Sequence, residues 1–431
     1  MNIENLYEIF KQNPEVSTDT RKCIPGSIFF ALKGATFNGN QYAQQAIESG
    51  CSYAVVDEKE YATSPNTIFV EDSLKTLQEL ANYHRRKFKI PVIAITGSNG
   101  KTTTKELVTS VLSQEHNTIS TQGNFNNHIG VPLTLLKMKK EHEIAIVEMG
   151  ANHLGEIKTL CEIAEPDFGI VTNIGQAHIE GFGSAENIVK TKGELYDYIR
   201  ESEGKAFVNY DNPLLREMAQ GLTSIYYGTT GKSSDFVTGN FISANPYLEF
   251  EWKFVSAYHT IKTHLIGGYN LSNAMAAIAV GKYFGIKGKL ICKALEEYEP
   301  ANNRSQLKNT GRNMLIVDAY NANPTSMLAA LENFSQMDVS KKTLILGDMK
   351  ELGPDSISEH QKVVNYITEH NFGQVYLVGE EFGNIPTHNN FHRFNTLEEL
   401  LQYLRMHPIE DCYILLKGSR SLKLENAIEL L

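Results

Sequence analysis

The segment Thr96-Gly97-Ser98-Asn99-Gly100-Lys101-Thr102-Thr103 follows an apolar run, Val92–Ile95, and leads straight into a helical pattern. Glycines there let backbone amides turn inward around a phosphate, Lys101 can reach β and γ oxygens, and the Thr102 hydroxyl can ligate Mg²⁺. Position 95 is Ile where a full Walker pattern has Gly, so the loop is the shorter GxxGKT form. The bland alternative is a tight strand-to-helix turn with a solvated lysine. Three further residues could complete phosphoryl chemistry. Glu148 closes the apolar run Ile144–Val147, where a carboxylate can face Mg²⁺ at the sheet edge beside the loop. His178 stands just past Gly169–Val171 and so on the same edge, although a lone histidine is more often structural. Lys192, in Lys190-Thr191-Lys192-Gly193-Glu194, reads on local grounds as a solvated helix lysine.

These residues need elements to hold them. At about 150 residues per domain, 431 residues predict roughly three domains, and 42% hydrophobic with 21% charged residues is an ordinary globular composition. Residues 1–88 mix short apolar runs with helical patterns, as in a small α/β domain. Residues 89–300 alternate strands and helices around the phosphate loop, which predicts a largely parallel sheet covered by helices. Within them, Leu248, Phe250, Trp252 and Phe254 recur at period two, so a β-rich subregion with a half-buried antiparallel strand is expected across 222–266. Residues 301–431 return to α/β, with strands ending in Asp318, Gly347, Gly379 and Lys417, where open α/β sheets bind ligands. The fold class is therefore α/β in three domains, the last of them Rossmann-like.

Forty basic against fifty acidic residues leave a net charge of −10, which disfavours nucleic acid. Five scattered cysteines form no CxxC pair and an odd count argues against a disulfide framework, so a reducing compartment fits. Met1–Lys11 is acidic and amphipathic, unlike a secretory signal, and no 18-residue apolar stretch is present to span a bilayer. A cytoplasmic, monomeric protein without stable membrane insertion is expected.

In this order, these residues resemble the ATP-dependent Mur ligases. The family's TGxNGKTT loop falls on Thr96–Thr103, its metal-binding Glu and His on Glu148 and His178, and its carbamylated lysine on Lys192. Asp318-Ala319-Tyr320-Asn321-Ala322-Asn323-Pro324 and Leu346-Gly347-Asp348-Met349-Lys350-Glu351-Leu352-Gly353 are similar to signatures of the dipeptide-adding members. Neither the DYAHTP-like stretch of the third-residue-adding ligases nor the DGAHNP of folylpolyglutamate synthases is present. Lys417-Gly418-Ser419-Arg420 matches the family's KGSR, and Asp19-Thr20-Arg21 its uridine-nucleotide motif. The resemblance breaks twice. Gly268-Tyr269-Asn270-Leu271-Ser272-Asn273 stands where GxHNxxN is usual, so Asn270 and Asn273 carry over while Tyr269 replaces the histidine, and Asn38-Gly39-Asn40 stands in place of DGH.

The resemblance implies an amide ligase using ATP and Mg²⁺, with UDP-N-acetylmuramoyl-tripeptide and D-alanyl-D-alanine as small-molecule substrates and an acyl phosphate between them. It places Asn270 and Asn273 at adenine, Arg304 at the γ-phosphate, Asp318 at the ribose, and Asn321, Asn323, Ser326 and Lys417 around the substrate. Local readings stay open beside these: helix capping for Asn270 and Asn273, an exposed boundary arginine, a strand-end aspartate, and an Asn-Pro turn at Asn323. Another Mur-type ligase and a non-catalytic nucleotide-binding relative are the alternatives. A P-loop kinase or GTPase is disfavoured by Ile95 and by the absence of an NKxD guanine motif.

Overall fold

The computed structural model describes residues 1–176, 179–232, 235–301, 303–386 and 391–431. Among the described residues the strands form three sheets of four, nine and six strands. The first runs Val16–Ser17, Ile28–Phe30, Tyr53–Val56, Thr67–Phe69, with every neighbour parallel.

The nine-stranded sheet carries the phosphate loop. Its strand, Val92–Thr96, is fully buried and lies between Ile144–Glu148 and Phe168–Val171, parallel to both. A strand buried on both faces must be apolar throughout, which is why Val92–Ile95 reads as one continuous run. The register sets Ile95 opposite Glu148 and Thr96 opposite Val171. Everything that follows these three strands thus emerges at one edge. The expected β-rich subregion is present, but it extends this sheet: Thr223–Gly228 and Asp235–Ala244 join in parallel, and Tyr247–Phe254 and Ala257–Ile266 close the edge antiparallel. Leu248, Phe250 and Trp252 bury one face of the Tyr247–Phe254 strand, as period-two spacing requires.

The third sheet has the order Gln306–Asn309, Met314–Asp318, Tyr413–Lys417, Lys342–Gly347, Gln374–Val378, Phe391–Phe394, parallel except for its first strand. It places Asp318 opposite Lys417 at the carboxyl ends.

The first sheet and one face of the second share a core. Helix Ser73–Arg85 buries Leu77, Leu80 and Ala81 in the same cluster as Val92, Val131 and Leu160. The third sheet has its own two cores, one of which includes Ile266 of the nine-stranded sheet and has Tyr247 and Ile179 packed against it.

Candidate functional site

Helix Lys101–Leu112 starts directly at the loop, behind Gly100, which has φ +77° and no side-chain cap. A Cβ at Gly100 would stand 2.6 Å from Asn273 Oδ1, so both conformation and space demand glycine. An uncapped helix start offers its first N–H groups and the positive end of its dipole to an anion. The loop is braced from behind by Thr172 and Asn173. Thr172 Oγ1 donates to Asn99 O at 2.6 Å, Asn173 Nδ2 donates to the same carbonyl at 3.0 Å, and Asn173 Oδ1 accepts from Asn99 N at 3.0 Å. Lys101 folds back, donating to Gly97 O at 2.7 Å and Ser98 O at 3.1 Å. Burial pushes its ammonium down to about 8; the nearby Arg304 charge acts the same way, and Glu148 opposes it.

Glu148 is 1% exposed. Its Oε1 accepts from Thr102 Oγ1 at 3.1 Å and from Asn126 Nδ2 at 2.8 Å, and its Oε2 has no hydrogen-bond partner among the described residues. An unpaired oxygen on a buried carboxylate is costly, and a cation beside the phosphate loop would satisfy it. The donor set fits Mg²⁺, which takes one or two carboxylates and leaves most positions to phosphate and water. No group of three His, Cys, Asp or Glu forms among the described residues. Asn126 orients Glu148 from outside the ligand set, so Asn126→Ala is expected to raise the Mg²⁺ concentration for half-maximal activity by about 10–100-fold. A Mg²⁺ titration of both proteins measures it, and an unshifted curve would remove Asn126 from this role.

Lys192 lies in helix Ala185–Glu201 and is 2% exposed, so the solvated reading fails. Its Nζ reaches Ala151 O at 3.5 Å and sits 5.3 Å from the Phe182 ring centroid. Burial, reinforced by the Lys101 charge and opposed by Glu156 and Glu194, lowers its amine to about 7. His178 lies outside the described residues.

Across the edge, the third sheet completes a cleft of about 790 Å³. Asp318 Oδ2 accepts from Lys417 Nζ at 2.5 Å and its Oδ1 from Ser305 N at 3.2 Å; each oxygen keeps a lone pair for a further donor. The Arg304 guanidinium carbon sits 3.6 Å from the Tyr320 ring centroid, with its Nε buried and unpartnered among the described residues. It is therefore held toward the cleft, not loose at a boundary. Asn323 begins helix Pro324–Gln336 in a capping box with Ser326, and its Nδ2 donates to Asn99 Oδ1 at 2.7 Å, tying that helix to the phosphate loop. Asn321 also lines the cleft, where its carbonyl accepts from Lys417 at 3.3 Å.

Ser98, Thr102, Thr103 and Glu148 thus face Arg304, Asp318 and Lys417 across one space. Some expected contacts differ. Thr96 is fully buried and its hydroxyl donates to Met149 O at 2.8 Å, so it ties two strands together and does not line the cleft. Gly97 serves through its carbonyl. Asn270 and Asn273 line the cleft, but their amides form a chain from Thr104 Oγ1 through Asn273 and Asn270 to Ile266 O, with links of 3.1, 2.8 and 2.8 Å. They brace the loop, and Asn270 makes no side-chain cap to the helix after it. Asp19 is bound to Arg21 through Oδ1 and Oδ2 at 2.9 Å, and Asp19, Thr20 and Arg21 stand apart from the cleft. Asn126, Asn173 and Tyr320 were missed. The Asn-rich run Gly123-Asn124-Phe125-Asn126-Asn127 and the residue directly after Thr172 were the available signals.

The chain matches the Mur ligase family catalytic domain over residues 14–89, the Mur ligase middle domain over 95–281 and the Mur ligase glutamate ligase domain over 303–420. It is 34% identical to the UDP-N-acetylmuramoyl-tripeptide–D-alanyl-D-alanine ligase of Bacillus subtilis, covering 99% of this chain and 97% of that one. The Escherichia coli ligase of the same name is also 34% identical, over 96% and 93% of the two chains. Among solved structures, MurF from Acinetobacter baumannii superposes with a TM-score of 0.87 at 30% identity, over 99% and 98% of the chains. MurF from Thermotoga maritima, solved in complex with ADP, does so at 0.85 and 26% identity, over 97% of each. On three matched domains in order and similarity along its whole length, the chain belongs to the Mur ligase family and, within it, to the MurF type.

Proposed function

We propose that this protein is an ATP-dependent amide ligase that joins D-alanyl-D-alanine to UDP-N-acetylmuramoyl-tripeptide, forming the pentapeptide precursor of peptidoglycan, ADP and phosphate. The observation that carries the reading is the single cleft in which an uncapped phosphate-loop helix and the half-satisfied Glu148 face Arg304 and the Asp318–Lys417 pair. The ligases of the same name that resemble the whole chain supply the substrate identities.

Lys101 and the helix start hold the triphosphate, and Arg304 lies across from them to meet charge on the γ-phosphoryl. The tripeptide carboxylate attacks the γ-phosphorus, ADP leaves, and an acyl phosphate forms. The amine of D-alanyl-D-alanine then adds to the acyl carbon, loses a proton, and expels phosphate from a tetrahedral intermediate. Mg²⁺ held by Thr102 and Glu148, with His178 completing the set, would neutralise phosphate charge in this step. Lys192, carrying a carbamate, would hold a second Mg²⁺. Asp318 accepts from the ribose hydroxyls, while Asn321, Asn323, Ser326 and Lys417 shape the dipeptide side. Residues 1–88, with Asp19, Thr20 and Arg21, hold the uridine end; 89–300 bind ATP, and 301–431 close over the reaction. Excluding water protects the acyl phosphate, and the Asn99–Asn323 contact joins the two sides that must close.

No described helix is long and apolar enough to cross a membrane. Phosphate release from ATP and Mg²⁺ with UDP-N-acetylmuramoyl-tripeptide should require D-alanyl-D-alanine and yield the pentapeptide by mass. Release indifferent to the dipeptide would reject the reading. Lysine- and diaminopimelate-containing tripeptides compared in the same assay identify the third residue.

A further inference from the structure

The stretch Leu346–Gly353 marks the resemblance to dipeptide-adding ligases, yet it does not line the cleft. Its inner half is fixed within the third sheet. Asp348 is fully buried; its Oδ1 accepts from Phe382 N at 3.0 Å, and its Oδ2 from Glu381 N at 3.1 Å and Lys350 Nζ at 3.0 Å. Asp348 O accepts from Ser419 N at 3.1 Å, Ser419 Oγ from Lys350 N at 2.9 Å, and His360 Nε2 from Met349 N at 3.0 Å. So many bonds on one short turn define the position of what it presents.

The outer half faces the neighbouring sheet. Glu351 has φ +63° and Gly353 φ +53°, a left-handed backbone that costs a non-glycine residue energy unless its surroundings enforce it. This bend aims the Glu351 carbonyl at the short helix Ile179–Phe182, where it accepts from Glu180 N at 3.1 Å. A Cβ at Gly353 would lie 3.6 Å from Glu180 Cβ. Ile179 packs against both the core of the nine-stranded sheet and that of the third sheet. On its other side the helix presses on the cleft-lining Asn152, whose carbonyl would be 2.6 Å from a Cβ at Gly181. Its last residue, Phe182, is buried with its ring beside Lys192.

We propose that the Asp348–Gly353 turn is a positioning element of the reaction site, which holds the Ile179–Phe182 helix, and through it Phe182, against Lys192 when the third domain is docked. Glu351 and Ile179 are its positioning residues. The sheet that supplies the amine side of the cleft thereby also sets the environment of a lysine on the ATP side. This inference rests on Lys192 belonging to the reaction site.

The test is deuterium uptake by the full chain, with Gly353→Val straining the left-handed turn that faces Glu180 and Ile179→Ala withdrawing the side chain shared by both cores. Uptake across 179–195 is expected to rise roughly tenfold in rate, while 374–383 and 101–112 keep wild-type uptake. The kcat for ligation should fall about 10–100-fold with ADP affinity unchanged, and Ile179→Val should restore both readouts. A rise confined to 348–369, with 179–195 unaltered, overturns the proposal, because the turn would then serve only its own domain. If neither variant folds, the Glu180 amide of the unaltered chain decides: slow exchange supports the contact, and exchange at the rate of an exposed amide overturns it. Neither uptake nor ADP affinity depends on turnover, so an unaltered chain that fails to ligate counts against the functional reading alone.

Discussion

Lys101→Ala is expected to lower dipeptide-dependent phosphate release by about 10²–10³-fold without weakening the fold. This ammonium is drawn onto the carbonyls of Gly97 and Ser98 and is held near a pKa of about 8, against an ordinary 10.5, chiefly by burial. Arriving triphosphate replaces those carbonyls with full negative charge, so the interaction strengthens as charge builds on the transferring group. The sign of the stability effect follows from the same shift. A lysine whose folded pKa is depressed destabilises the fold below about pH 8, and the cost fades as pH rises toward 10.5. Removing it should leave thermal stability at pH 7 equal or higher, as a calorimetric scan would show. Near wild-type turnover in this variant would overturn the phosphate-loop assignment.

A second large loss, again about 10²–10³-fold, is expected for Lys192→Ala, and Lys192→Arg should not restore it. Arginine keeps a cation but cannot carry the carbamate proposed for this position. Carbamate formation needs the neutral amine, and with a pKa lowered to about 7 half of it is neutral at that pH without help. Exposed lysines near 10 stay protonated there. Wild-type activity should therefore decline in buffer stripped of carbon dioxide, return with bicarbonate, and return faster at pH 8 than at pH 6. Both lysine variants should ignore bicarbonate. Activity indifferent to bicarbonate in the unaltered protein, with Lys192 found as a plain amine by mass, would sink the carbamate.

What could be read from the residues alone was whatever is local in sequence. The phosphate loop and Glu148 were legible because a buried parallel strand is a continuous apolar run, and the residue at its end sits at the sheet edge. The short strands Thr118–Ser120, Gln306–Asn309 and Phe391–Phe394 were not seen. Each has at most four residues and polar members, and at the edge of a sheet nothing forces an apolar run. Motif position does not say which way the Thr96 hydroxyl points; the Met149 carbonyl one strand away decides that. Asn270 and Asn273 carry an expected contact with adenine; the structure shows their amides supporting the loop through Thr104, a partner 169 residues from Asn273. Asn126 and Tyr320 went unrecognised because their importance lies wholly in Glu148 and Arg304, which they meet only once the chain is folded.

The core shared by the first two sheets has a consequence for how the protein comes apart. Helix Ser73–Arg85 buries its apolar face against the helices Gly130–Leu135 and Glu156–Ala164 that cover the nine-stranded sheet, whereas the third sheet closes most of its own interior for itself. Residues 1–300 should then melt as one cooperative block, with 301–431 as another. A nucleotide seated between them would draw two heat-absorption peaks toward one.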